Sequence, residues 1–99
     1  MTEIILDGSK MTSKETAHKY IKEGMSFPEY YGENLDALWD LLSTWAVETT
    51  IYLLNEERMH ENLGDYGGLL KGVFQEASYE NDNICFVVSA DEDKIMKGI

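Results

Sequence analysis

Ninety-nine residues amount to one domain, with enough chain for a single modest core and no need of disulfide or metal staples. Nineteen acidic residues against eight basic ones give a net charge of −11. That balance excludes nucleic acid and anionic membrane surfaces, which proteins grip with lysine and arginine, and makes a basic protein the natural complement.

An apolar fraction of 43% with 11% aromatics argues for a packed core rather than disorder. The N-terminal "MTEIILDGSK" has neither the basic start nor the long apolar stretch of a signal peptide, and no run reaches the length of a membrane span. A cytoplasmic protein is the expectation. The single cysteine, Cys85, cannot close an internal disulfide, and within "ICFVVS" it is expected to be a small buried hydrophobe.

In chain order, "EIILDG" (Glu3 to Gly8) reads as a short strand closed by a turn. A helix follows from about Ser13 to Glu23, with Ser13 and Thr16 as an imperfect cap, Gly24 as its stop and Ala17, Tyr20 and Ile21 on its apolar face. Pro28 and Gly32 bracket an irregular link into a second helix, Leu35 to Thr44, for which Asn34 is the N-cap. "TTIYLLN" (Thr49 to Asn55) is a second strand, and "EERMHENLG" a short helix ending at Gly64. The "GDYGG" segment (Gly64 to Gly68) reads as a linker and helix start. Leu69, Leu70, Val73, Phe74 and Ala77 then carry helical spacing through Leu69 to Tyr79. After the turn-forming "ENDN", the continuous run "ICFVVSA" fits a strand buried on both faces. Strands alternating with helices predict an α/β domain over residues 1–90 with a small parallel sheet, and residues 91–99 form a polar C-terminal extension.

The helix at Leu35 raises the functional question. At ~100° per residue, Leu35, Leu38, Leu41, Leu42 and Trp45 gather on one side, Asp36, Asp40 and Ser43 on the other, and Trp39 at the boundary. Folding requires the leucines, whereas like charges at i and i+4 destabilise a helix by roughly 0.2–0.5 kcal/mol. A solvated acidic face is the commoner reading of such a pair taken alone. The neighbouring aromatics, Tyr30, Tyr31 and Trp39, change that balance, because aromatic anchors beside charge are the composition of an interface hot spot.

The stretch "PEYYGENLDALWD" resembles the signature segment of the barstar family of intracellular ribonuclease inhibitors, and "ILDG", "VFQEA" and "ICFVVS" extend the similarity over most of the chain. The resemblance implies a three-stranded parallel sheet packed by about four helices. It also implies a one-to-one complex with a basic ribonuclease of the barnase type, with carboxylates occupying places meant for substrate phosphates. Carried onto this sequence, the partner-binding positions are Tyr30, Asn34, Leu35, Asp36, Trp39, Asp40 and Trp45, with Glu76 of "VFQEA" as a second patch. The chain departs from the family at Thr44, where the family has a glycine, and at Leu41 and Asp82, where it has cysteines. It also lacks the proline before the second strand.

Other chemistries find less support. Acid–base work by an Asp pair needs a cleft with unequal environments, which a convex helix face lacks, so no catalytic residue is expected. His18 and His60 have no nearby Ser–Asp or Cys partner in sequence and read as surface histidines. Glu33, Asp36 and Asp40 lack the oxygen-rich, glycine-turned loop of a calcium site, so neither metal nor cofactor is expected. "GDYGG" has no G-K-[ST] ending and no preceding strand, which argues against a phosphate loop. The competing reading is a non-inhibitory module that docks the same acidic face on another basic protein.

Overall fold

The computed structural model describes residues 2–89. Strand β1 (Thr2–Asp7) leads through a short 3₁₀ turn (Gly8–Lys10) into helix α1 (Lys14–Met25). Then follow α2 (Leu35–Ser43), β2 (Thr49–Leu54), α3 (Glu56–Leu63), α4 (Asp65–Glu80) and β3 (Ile84–Ser89). The three strands form one parallel sheet in the order β1-β2-β3. This is the expected α/β architecture of three parallel strands and four helices. The extension over residues 91–99 lies outside the described residues.

Sheet register decides which side chains meet the helices. Ile4, Ile51 and Phe86 align across the strands, as do Leu6, Leu53 and Val88. Leu6, Ile51, Leu53 and Ile84 join Ile21, Leu38, Leu42, Leu70 and Phe74 in one core, with Ile4 and Phe86 packed against it. The opposite face carries Ile5, Tyr52 and Val87 in one row; Ile5 and Val87 stay exposed and Tyr52 is half-buried.

That topology corrects the reading of the third strand. "ICFVVS" is an edge strand, and the strand buried almost throughout is the central "TTIYLL". Cys85 pairs with Thr50 on the sheet face away from the core and is exposed, not buried. A continuous apolar run identifies a strand but not its place in the sheet.

Two helix boundaries also move. Helix α1 runs past Gly24 to the buried Met25 and ends at Ser26, which takes the left-handed conformation at φ 55°. The Ser26 and Phe27 amides close that end on Glu23 O and Lys22 O. Gly24 answers to packing instead: a Cβ there would lie 3.1 Å from Leu6 Cδ2 of β1. Helix α4 begins at Asp65 rather than Leu69, so "DYGG" is its first turn and not a linker. Gly64, at φ 61°, breaks the chain between α3 and α4. Gly67 lies within this helix where α3 passes close by, and a Cβ there would meet His60 Nδ1 at 3.0 Å.

Candidate functional site

The irregular link into α2 is built by three local devices. The Tyr31 amide donates to Pro28 O at 3.0 Å, closing a turn that sends Tyr30 outward and Tyr31 inward. Tyr30 is 81% exposed, whereas Tyr31 is 5% exposed and packs on Phe27 at a centroid distance of 4.8 Å. The two tyrosines that look alike in sequence thus divide between surface and core. Glu33 adopts φ 54°, a left-handed conformation that costs a non-glycine residue about 1–2 kcal/mol. Asn34 then caps α2, its side chain accepting from the Ala37 amide at 2.8 Å, a cap contributing ~1 kcal/mol.

Helix α2 is fixed on its apolar side and bare on its acidic side. Leu38 and Leu42 are fully buried, each worth about 1.5–3 kcal/mol relative to exposure, while Leu35, Trp39 and Leu41 pack partly against the core. Asp36 and Asp40 are exposed, and neither carboxylate has a side-chain partner among the described residues. The ion-paired lysines serve other acids: Lys19 lies 3.4 Å from Glu33, Lys22 3.2 Å from Glu29 and Lys71 2.5 Å from Glu56. Asp40 borders an open hollow of about 300 Å³ together with Tyr30, Tyr31 and Leu41. Asp36 borders a second hollow, with Asn34, Leu35 and Tyr66. The ridge between these hollows carries uncompensated negative charge.

Helices α2 and α4 run side by side in the same direction. Tyr66 in the first turn of α4 shares a hollow with Leu35 and Asp36 at the start of α2. At the other end, Asn81 Nδ2 donates to Leu42 O and Trp45 O, both at 2.9 Å. Glu76 is exposed on α4, and at ~100° per residue it falls on the same flank as Tyr66, Val73 and the exposed Leu69. Of that flank, Tyr66 is the residue that borders α2, in the hollow it shares with Leu35 and Asp36.

Trp45 is half-buried beyond the helix end. Its indole Nε1–H donates to Thr49 Oγ1 at 3.0 Å, and its ring meets Phe27 edge-on at 5.7 Å. Thr44 ends α2 without a left-handed residue, at φ −110°, and its hydroxyl donates to Asp40 O at 2.8 Å. A threonine is therefore accommodated at this position without strain.

Sequence reading missed one group beside the ridge. His18, expected at the surface, is 1% exposed, because it shares the buried stripe of α1 with Ala17, Ile21 and Met25. Its Nδ1 lies 2.6 Å from Tyr31 Oη and its Nε2 2.7 Å from Tyr66 Oη. Burial pushes its pKa below the ordinary value of 6.5, against the pull of nearby Glu33, so the imidazole is neutral at pH 7. Burial likewise pushes the Tyr31 and Tyr66 hydroxyls up. The signal was available: His18 stands three residues before Ile21 and seven before Met25, which is helical core spacing. His60 is half-buried and pairs with Glu56 at 2.8 Å on α3.

Among the described residues no group of three or more His, Cys, Asp or Glu is arranged to hold a metal ion. No helix among them is long and apolar enough to cross a membrane.

The profile described as "Barstar (barnase inhibitor)" matches residues 1–91. The Bacillus subtilis (strain 168) protein named "Putative ribonuclease inhibitor YrdF" is 42% identical over 81 residues, covering 81% of this chain and 89% of its own. With the three parallel strands and four helices already in place, these matches settle the family: the chain belongs to the barstar family.

Proposed function

We propose that this protein inhibits a small basic ribonuclease of the barnase type, one molecule to one, by seating the acidic ridge of α2 in the enzyme's active site. The observation that carries the proposal is the pair Asp36 and Asp40, exposed, unpaired and one helical turn apart beside the protruding Tyr30. Side chains at i and i+4 stand about 5–6 Å apart at Cβ. Two carboxylates at that spacing offer successive anions to the arginines, lysines and histidine with which a ribonuclease grips successive phosphates. Membership of a family described by barnase inhibition, and a relative named for ribonuclease inhibition, support the reading.

In this arrangement Asp36 and Asp40 supply the charges and Tyr30 packs against the enzyme beside them. Asn34, Leu35 and Trp39 frame the ridge, Glu76 adds a flanking carboxylate from α4, and Trp45 offers its exposed edge. The inhibitor itself performs no chemistry; it excludes substrate. The test is titration of purified protein into small basic secreted ribonucleases from the same source. Activity should fall linearly to zero at one equivalent. Tight binding with activity retained would favour the non-inhibitory module instead, and no binding to any of them would refute the proposal.

A further inference from the structure

The segment from Ser26 to Asn34 carries Tyr30 yet has little backbone support. Apart from the turn at Tyr31 and the amide of Phe27, no backbone hydrogen bond ties residues 28–33 to another element among the described residues. Its ion pairs, Lys22–Glu29 and Lys19–Glu33, reach the surface, with Glu29 98% exposed, and pairs of that kind contribute little. Glu33 adds strain rather than relieving it. The segment is held from below, by Phe27 and by Tyr31, whose hydroxyl is bonded to His18.

His18 is a two-sided connector. A neutral imidazole has one N–H and one lone pair for its two hydroxyl neighbours. Tyr31 is buried, so its O–H proton is used by donation to Nδ1, and the Nε2–H then donates to the half-buried Tyr66 hydroxyl. The relay joins α1, the Tyr30-bearing turn and the first turn of α4, three parts of the chain that converge around Asp36. We propose that His18 is a positioning residue of the inhibitory surface, fixing the Tyr30 turn relative to Asp36 and α4 through Tyr31 and Tyr66. This rests on the inhibitor reading above.

Two amide variants separate the halves of the relay. The amide of His18→Asn falls near the place of Nδ1 and retains the bond to Tyr31; that of His18→Gln falls near Nε2 and retains only the bond to Tyr66. Affinity for the inhibited ribonuclease is measured for both, with and without Tyr30→Ala, beside thermal melts and amide hydrogen exchange of the free proteins. His18→Gln should weaken binding about tenfold, with His18→Asn recovering most of that loss. The penalty for Tyr30→Ala should shrink in the His18→Gln background, because a misplaced tyrosine has less to lose. A merely structural His18 would give additive penalties and a binding loss that follows melting temperature whichever amide is present; that result, or wild-type affinity in His18→Gln, overturns the proposal. Should His18→Gln not fold, Tyr31→Phe, which deletes only the hydroxyl, carries the same expectations. If the wild-type protein bound no ribonuclease, the inhibitor reading would fall by itself. Exchange in the free protein would then decide the relay: amides of Tyr30 to Asn34 should exchange faster in His18→Gln than in His18→Asn, and equal protection would refute it.

Discussion

Asp40 is the residue whose presence folding explains least. It repels Asp36 one turn away and stands too far along α2 to gain from the helix dipole. Asp40→Asn keeps the shape and removes the charge, so the free protein is expected to keep its stability or gain about 0.2–0.5 kcal/mol. Binding is expected to weaken by about 2 kcal/mol or more, since a cationic pocket on the enzyme would lose its counter-charge. Thermal melts and inhibition titrations check the two halves; a variant that melts lower yet inhibits undiminished would make Asp40 structural. His18 sets a pH dependence at the same scale. Its folded pKa lies below 6.5 because burial disfavours the charged ring, so below that pH the unfolded chain takes up a proton that the folded chain resists. Its contribution is complete above pH ~6.5 and is lost as pH falls through the folded value. Glu56 is a separate case: Lys71, then His60, hold its carboxyl below 4.5, so its contribution is lost only in more acid solution. The melting temperature of the wild type is expected to fall between pH 7 and pH 5 more steeply than that of His18→Asn, and equal slopes would contradict the assignment. The acidic residues of the ridge were legible in the sequence because their spacing has no folding purpose. Tyr31 was not, because nothing local separates it from Tyr30 and its hydroxyl's partner, His18, stands 13 residues earlier. His18 was legible as a core position from its spacing on α1 but not as a connector, because its second partner, Tyr66, lies 48 residues beyond it.

Helix α2 was the element most legible from sequence, since a cap, a leucine stripe and a polar face all agreed on it. The structure ends it at Ser43, with Thr44 as the cap residue. What the sequence did not disclose is how its far end is held. Asn81, just after α4, donates to Leu42 O and Trp45 O, while its own Oδ1 accepts from the Asn83 amide at 3.0 Å. One side chain thereby ties the exits of α2 and α4. Asn81→Ala removes one donor from each carbonyl, while Trp45 O keeps the Asn83 side-chain amide at 3.1 Å and Leu42 O the Trp45 amide at 3.2 Å. The change is therefore expected to cost about 0.5–1.5 kcal/mol, measured by denaturant unfolding. A loss below ~0.5 kcal/mol would mean that water replaces the amide. The misplaced start of α4 and the edge position of β3 each have a physical origin. Glycines admitted by a close neighbour look like loop glycines, and strand order depends on crossovers that residue patterns do not encode.

At the scale of the whole molecule, a charge of −11 surrounds a ridge whose carboxylates are uncompensated. Complementary pairs associate at about 10⁸–10⁹ M⁻¹ s⁻¹ at low salt, a range to which barnase and barstar themselves contribute. The association rate with the inhibited ribonuclease is expected to fall steeply as salt rises and screening shortens the field. A rate indifferent to salt would count against steering, though not against the fold. Fold class was readable from the alternation of strands and helices, and the candidate site was proposed from one acidic-aromatic helix. Whether that helix fills an active site is a matter of the complex, and competition addresses it most directly. The apparent dissociation constant for the ribonuclease is measured as a non-hydrolysable substrate nucleotide is raised from zero to well above its own dissociation constant. If the Asp36–Asp40 ridge occupies the phosphate-binding positions, the constant rises in proportion to nucleotide with no ternary complex. A constant that stays flat, with nucleotide and inhibitor bound together, would contradict the account.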